Sequence, residues 1–235
     1  QGESYRPLAN PEKGYVESYA QLGAELARFA ESVRITDKPL FFYSVSMGAH
    51  ITMRMAGDQN PDVTAYVLVV PMIKVHTGDF DYANMRAMTG ALSKLGLGNL
   101  YAPGHSEWPN GELVFGQPLP CNANPATAQM EDALFAERES LRTNGVTMSW
   151  LYKTATSTET LFSSEHIAAI TQPVLMVTAG VDRSVDTDAA RRFCDSLARC
   201  EVSHFAESRH CITREDFDLY DRVIVDAISH FDQQI

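Results

Sequence analysis

The stretch Pro39-Leu40-Phe41-Phe42-Tyr43-Ser44-Val45-Ser46-Met47-Gly48 runs directly into Ala49-His50-Ile51-Thr52-Met53-Arg54-Met55-Ala56. An apolar, aromatic-rich run gives way to small residues and then to helix formers, which reads as strand, sharp turn and helix with Ser46 at the turn. Such a turn forces its central residue into strained backbone geometry and crowds the neighbours, so the positions two before and two after it must be small. Ser44 and Gly48 meet that requirement. Ser46 is therefore the candidate nucleophile of a nucleophile elbow. Ser44 departs from the glycine usual at its position, and a serine ahead of a helix also serves as an N-cap, so the turn alone leaves both readings open.

A serine nucleophile needs a base to take its proton and a carboxylate to orient that base, and this elbow predicts the chain order Ser, acid, His. Downstream, Pro173-Val174-Leu175-Met176-Val177-Thr178-Ala179 is a β-rich apolar run that ends in Gly180-Val181-Asp182-Arg183-Ser184-Val185-Asp186. A carboxylate just past the C-terminal end of a buried strand lies where an open parallel sheet gathers its site. Asp182 is nearer that end than Asp186, and either one is also placed to cap the helix-period stretch that begins at Asp188. A second strand-like run, Glu201-Val202-Ser203-His204-Phe205-Ala206, leads into Glu207-Ser208-Arg209-His210. Of the seven histidines, His210 combines the right order with a loop at a strand end. His204 falls inside a strand, His50 and His230 on helices, and His76, His105 and His166 in or beside the middle of the chain. The last helix opens with Thr213 and Asp216 at capping spacing, and Phe217, Tyr220, Ile224, Ile228 and Phe231 form its expected buried stripe.

With these segments in place the chain resembles the α/β-hydrolases of the lysophospholipase L2 and monoacylglycerol lipase-like group, the serine aminopeptidase family. The similarity runs through Gln1-Gly2-Glu3-Ser4, the tail of that family's Asp-x-Arg-Gly-x-Gly-x-Ser loop, through Ser46-Met47-Gly48, through Gly180-Val181-Asp182-Arg183 with Val185-Asp186, and through Arg209-His210. Tyr101-Ala102-Pro103-Gly104 with Trp108 and Phe115, and Gly145-Val146-Thr147 with Trp150-Leu151, are similar to the cap of lysophospholipase L2. The resemblance implies a mostly parallel sheet flanked by helices with a helical cap insertion. It also implies a triad of Ser46, Asp182 and His210, a Met47 backbone N–H in the oxyanion hole, and hydrolysis of a lysophospholipid, a monoacylglycerol or, as the alternative, a small peptide or amide.

Composition agrees with a soluble-type core and excludes several classes. The chain has 235 residues, 45% of them hydrophobic, enough for one to two domains. Its longest apolar stretch, Ala65 to Ile73, is far short of the roughly 20 residues of a membrane span. The net charge of −11 opposes electrostatic binding to nucleic acid or to anionic membranes. Cys121, Cys194, Cys200 and Cys211 have no CxxC spacing, and no metal, nucleotide or other cofactor is indicated. Cys194 and Cys200 are placed to approach where a helix turns into a strand, but free buried thiols are expected for a protein that is cytoplasmic or peripherally associated with the inner membrane.

Along the chain, a first helix from about Val16 to Val33 carries Tyr19, Leu22, Leu26, Phe29, Ala30 and Val33 at helical spacing. Strands are expected near residues 40–45, 65–70, 174–179 and 201–206. Residues 1–77 and 166–235 are assigned to the α/β core and 78–165 to a cap, in which helices are expected over 128–142 and 147–162. Met72, Met85, Met88 and Trp150 are candidate acyl-pocket residues, because methionine adapts to flexible chains. In the resembling family the elbow strand is the fifth of eight, so the core's N-terminal strands and a second oxyanion donor are expected to come from outside this chain, from a second polypeptide. Without it, the elbow strand is an exposed apolar sheet edge.

Overall fold

The computed structural model describes residues 3–78, 80–107 and 124–235. Trp108, Phe115, Cys121 and the Gln1-Gly2 pair lie outside them. The described residues divide into two compact units, one of residues 3–18, 77–78, 80–107 and 124–156, the other of residues 19–76 and 157–235. Apart from the single residue 77, the expected boundaries differ at two places: residues 3–18 group with the middle of the chain rather than with the core, and 157–165 group with the core. The physical cause of the first is backbone pairing, because Gly14 bridges Val146 and its C=O accepts from the Thr147 N–H at 3.1 Å.

The larger unit is built on four parallel strands, β1 (Phe41–Val45), β2 (Ala65–Val69), β3 (Val174–Ala179) and β4 (Cys200–Phe205), in the order β1-β2-β3-β4. All four fall where the apolar runs predict them. Every residue of β2 and β3 is buried, as expected for central strands of a parallel sheet covered on both faces. Alternation divides them: Tyr66, Leu68 and Met176 enter one apolar cluster with Met53, Met55 and Phe193, while Val67, Val69, Leu175 and Val177 enter another with Val223 and Ala227. The first cluster holds residues of α2 (Met47–Gln59) and α7 (Thr187–Ser196), with Leu26 and Ala27 of α1 (Tyr19–Val33) packed against it; the second holds residues of α8 (Phe217–Asp232). β1 is an edge strand, with Tyr43 and Val45 exposed.

The outer helices correct two expected stripes. In α8 the buried residues are Val223, Ala227 and His230, whereas Phe217 is 81% and Ile228 53% exposed. In α1, Tyr19, Gly23 and Ala30 are buried while Phe29 and Val33 are exposed. Both helices carry apolar residues on more than one face, so the rows read from size and hydrophobicity are only partly the buried ones: Tyr19, Leu26, Ala30 and Phe231 face the core, and Phe29, Val33, Phe217 and Ile228 do not. A third correction concerns the cysteines. Cys194 and Cys200 form a disulfide with Cα atoms 5.3 Å apart, joining the end of α7 to the start of β4, and Cys211 is also disulfide-bonded. The expectation of free thiols is not met.

The smaller unit holds α3 (Tyr82–Lys94), α4 (Pro125–Glu137) and most of α5 (Met148–Leu161). α4 starts three residues earlier than expected because Asn124 caps it, accepting from the Ala126 and Thr127 N–H groups, with proline at the first turn. The short helix α6 (Ser164–Ala169) belongs to the larger unit.

Candidate active site

Ser46 follows β1 immediately and precedes α2, with φ 50° and ψ −116°. This left-handed, strained conformation is that of an elbow, and no N-cap bond from the Ser46 side chain to α2 competes with it. Its N–H donates to the Val69 C=O at 2.9 Å, which pins the turn to the end of β2. Val70, the next residue, is itself at φ 41°, a costly place for a β-branched side chain. The departure at Ser44 has a local reason: its buried hydroxyl lies 2.7 Å from the Thr52 hydroxyl, a bond from strand to helix that glycine cannot make.

The candidate acid and base reach the same place from the ends of β3 and β4. Ser46 Oγ is 2.9 Å from His210 Nε2, and His210 Nδ1 is 2.7 Å from Asp182 Oδ2. A carboxylate only accepts, so Nδ1 carries the proton, Nε2 presents its lone pair, and the Ser46 hydroxyl donates to it. The Asp182 side chain is fully buried, and its other oxygen accepts from the Ser184 and Val185 N–H groups at 2.8 and 3.0 Å. Behind this loop, Gly180 runs so close to β4 that a Cβ there would meet the Ala206 carbonyl oxygen at 2.2 Å. Met47 opens α2, so its N–H projects from the helix N-terminus beside the serine.

Asp186 takes the other role open to it. Its Oδ1 accepts from the Ala189 N–H at 2.8 Å, capping α7, and its Oδ2 is 3.3 Å from Lys74 Nζ and 3.9 Å from Arg192. Burial alone would raise its pKa, but the Ala189 N–H, Lys74 and Arg192 outweigh burial and hold it below the ordinary 3.8. A depressed carboxylate contributes stability that is fully present above its unfolded pKa and lost as pH falls through the folded one. Asp186→Asn retains the cap acceptor and removes the charge. Its urea midpoint is expected to trail the wild type most at pH 7, with the gap closing below about pH 4; a gap independent of pH would contradict the ion pair.

The remaining histidines stand outside the triad. His204 Nδ1 is 3.0 Å from the Thr178 hydroxyl, His166 Nε2 is 3.1 Å from the Met53 C=O, and His105 Nδ1 is 3.4 Å from the Val146 N. His50 and His230 are both buried, with burial lowering the pKa of each. The candidate acyl contacts fall in both units. Met85 and Trp150 are buried within the smaller unit, Met88 is 39% exposed there, and Met72 is buried in the larger unit. Sequence reasoning missed a buried polar cluster of His50, Arg54 and Ser157. Its one sequence signal was a histidine and an arginine placed among the apolar residues of α2.

A parallel sheet covered by helices on both faces, entered through a strained serine turn, is the α/β-hydrolase fold. Within it, residues 1–216 match the family described as serine aminopeptidase, S33, and the chain belongs to that family. A soluble variant of the monoglyceride lipase of Saccharomyces cerevisiae, solved with a substrate analog, superposes with a TM-score of 0.70 at 16% identity, covering 98% of this chain and 74% of that one. The monoacylglycerol lipase of Paleococcus ferrophilus gives a TM-score of 0.66 at 14% identity, over 91% of this chain and 76% of that one. A carboxyl esterase of Bacillus coagulans, solved with glycerol, gives 0.66 at 15% identity, over 93% and 73%. No curated protein matches the sequence at a significant level. At these identities the likeness concerns the fold, and nothing in the comparisons supports a separate second polypeptide. Among the described residues, no helix is long and apolar enough to cross a membrane, and no group of three or more His, Cys, Asp or Glu residues is placed to hold a metal ion.

Proposed function

We propose that this chain is a serine hydrolase that cleaves carboxylic esters through an acyl-enzyme. The observation that carries the reading is the unbroken line Ser46 Oγ, His210 Nε2, His210 Nδ1, Asp182 Oδ2, with both hydrogen bonds under 3 Å and one tautomer consistent with both. His210 takes the Ser46 proton as Ser46 attacks the ester carbonyl, and Asp182 stabilises the imidazolium that forms. The proton passes to the leaving alcohol as the acyl–oxygen bond breaks. Water, activated by the same imidazole, then attacks the acyl-enzyme and releases the acid and free Ser46. The Met47 N–H serves as one donor to the developing oxyanion.

The substrate in this reading is a lysophospholipid or a monoacylglycerol, the inserted middle segment carries substrate selection, and Met72, Met85, Met88 and Trp150 are the candidate acyl contacts. The family supports it, and so do lipases and esterases among the similar folds. The family's aminopeptidase description makes amide hydrolysis the second reading. A non-catalytic, scaffold role has less support, since a scaffold has no need of a strained serine aligned with a tautomer-defined imidazole.

Turnover of 1-monoacylglycerol, lysophosphatidylcholine, a p-nitrophenyl ester series and an aminoacyl p-nitroanilide, each with the same preparation, tests the assignment. The expected result is ester kcat/KM exceeding that of the anilide by about 10²-fold or more, a difference of roughly 3 kcal/mol in transition-state stabilisation. Faster cleavage of the anilide would instead establish the peptidase reading.

A further inference from the structure

We infer that His50 is a positioning residue for the nucleophile, its ring clamping the segment Met72–His76 between the Ser46 turn and the Asp182 loop. The inference rests on the triad reading above. The clamp begins at the turn itself, where the Ser46 C=O accepts from the His50 N–H at 3.2 Å and from the Met72 N–H at 3.1 Å. The Met72 C=O in turn lies 2.8 Å from His50 Nδ1. From Met72 the chain passes to the acid loop, where the His76 N–H donates to the Ser184 C=O at 3.0 Å, the Asp186 N–H donates to the Lys74 C=O at 2.9 Å, and Val75 bridges Val185. The Ser184 N–H is one of the two that hold the Asp182 carboxylate. Elbow and acid loop therefore share one short segment, and His50 fastens its near end.

The surroundings of the ring determine which nitrogen does the fastening. A carbonyl only accepts, so Nδ1 carries the proton toward Met72. The ring is fully buried, and burial pushes its pKa down to about 4. It is neutral at pH 7, which leaves Nε2 as an acceptor. Ser157 Oγ, 2.7 Å away, donates to Nε2 and accepts from Arg54 Nη1 at 2.8 Å. Arg54 is held in turn by Asp58 at 2.6 and 3.0 Å. Ser157 thus selects the Nδ1–H tautomer. The other tautomer would set a nitrogen lone pair against the Met72 carbonyl oxygen. A histidine, a serine and an arginine in the core carry a desolvation cost that an apolar set would avoid, and here each named polar atom answers another.

The test separates positioning from packing by counting active sites. kcat and KM for a p-nitrophenyl ester are measured on the full chain and normalised to the sites titrated by a serine-directed phosphonate, for wild type, His50→Leu, His50→Asn and Ser157→Ala. His50→Leu is expected to lower kcat per titrated site about 10- to 10²-fold with KM nearly unchanged, as for a small displacement of reacting groups. His50→Asn, whose amide NH2 takes the place of Nδ1–H, is expected to recover most of the loss. Ser157→Ala allows the ring proton to shift to Nε2 and is expected to fall between them. Wild-type kcat per titrated site in His50→Leu, whatever its melting temperature, overturns the inference, as does equal impairment of His50→Asn and His50→Leu. Should His50→Leu fail to fold, wild-type kcat in Ser157→Ala overturns it. Phosphonate labelling of the wild type at a residue other than Ser46 would refute the triad reading instead.

Discussion

Ser46→Ala is expected to lower ester turnover by about 10⁴- to 10⁶-fold, the range seen when a triad serine is removed, and to abolish labelling by a serine-directed phosphonate. Binding and the Met47 donor survive the substitution, so the residual rate should still exceed that of buffer. The fold should survive too, because the Ser46 hydroxyl makes no capping bond to α2. Mass spectrometry of the labelled peptide locates the modified serine. Undiminished turnover in the variant, or a label on another serine, would remove Ser46 from the mechanism.

Asp182→Asn is expected to cost kcat about 10⁴-fold, whereas Asp186→Asn should remain within about 10-fold of wild type. The two carboxylates stand four positions apart in sequence, yet their surroundings differ in kind. The Asp182 carboxylate accepts the His210 Nδ1–H, and an asparagine there can donate an N–H to Nδ1, which turns the ring to the Nε2–H tautomer and points a proton at Ser46. Asp186 is occupied by Ala189 and Lys74 and touches the triad through no bond of its own side chain among those described. Steady-state kinetics of the two variants decide the matter, and equal impairment would show that the acid has been misassigned.

Much of this was legible in the chain because its strongest constraints are local. The elbow needs a serine between small residues at the end of an apolar run, and Ser44, Ser46 and Gly48 are consecutive enough to be read directly. β2 and β3 are buried on both faces, so they read as continuous apolar runs. Asp182 and His210 follow from strand ends and chain order. What could not be read depends on contacts distant in sequence. The pairing of Gly14 with Val146 moves the first residues out of the core unit. The role of His50 is set by Ser157, 107 positions away. The outward turn of Phe217, Ile228 and Phe29 arises because helices with apolar residues on several faces carry no signal of which face meets the sheet.

The Cys194–Cys200 bridge ties the end of the helix that follows the Asp182 loop to the start of the strand that leads to the His210 loop. In chain order it therefore lies between Asp182 and His210. Closing a loop of this length restricts the unfolded ensemble by about 2 kcal/mol in the chain-entropy account, a sizeable share of the roughly 5 to 15 kcal/mol of a typical domain. Cys194 is 3% exposed and Cys200 half-buried, so the direct route of a thiol reductant to the bridge is through the Cys200 sulfur. The redox poise of the surroundings thus acts on the working lifetime of the protein more than on its rate of turnover. Material made in a glutathione-reduced cytosol and material made under oxidising conditions would share one triad and differ in how long it persists.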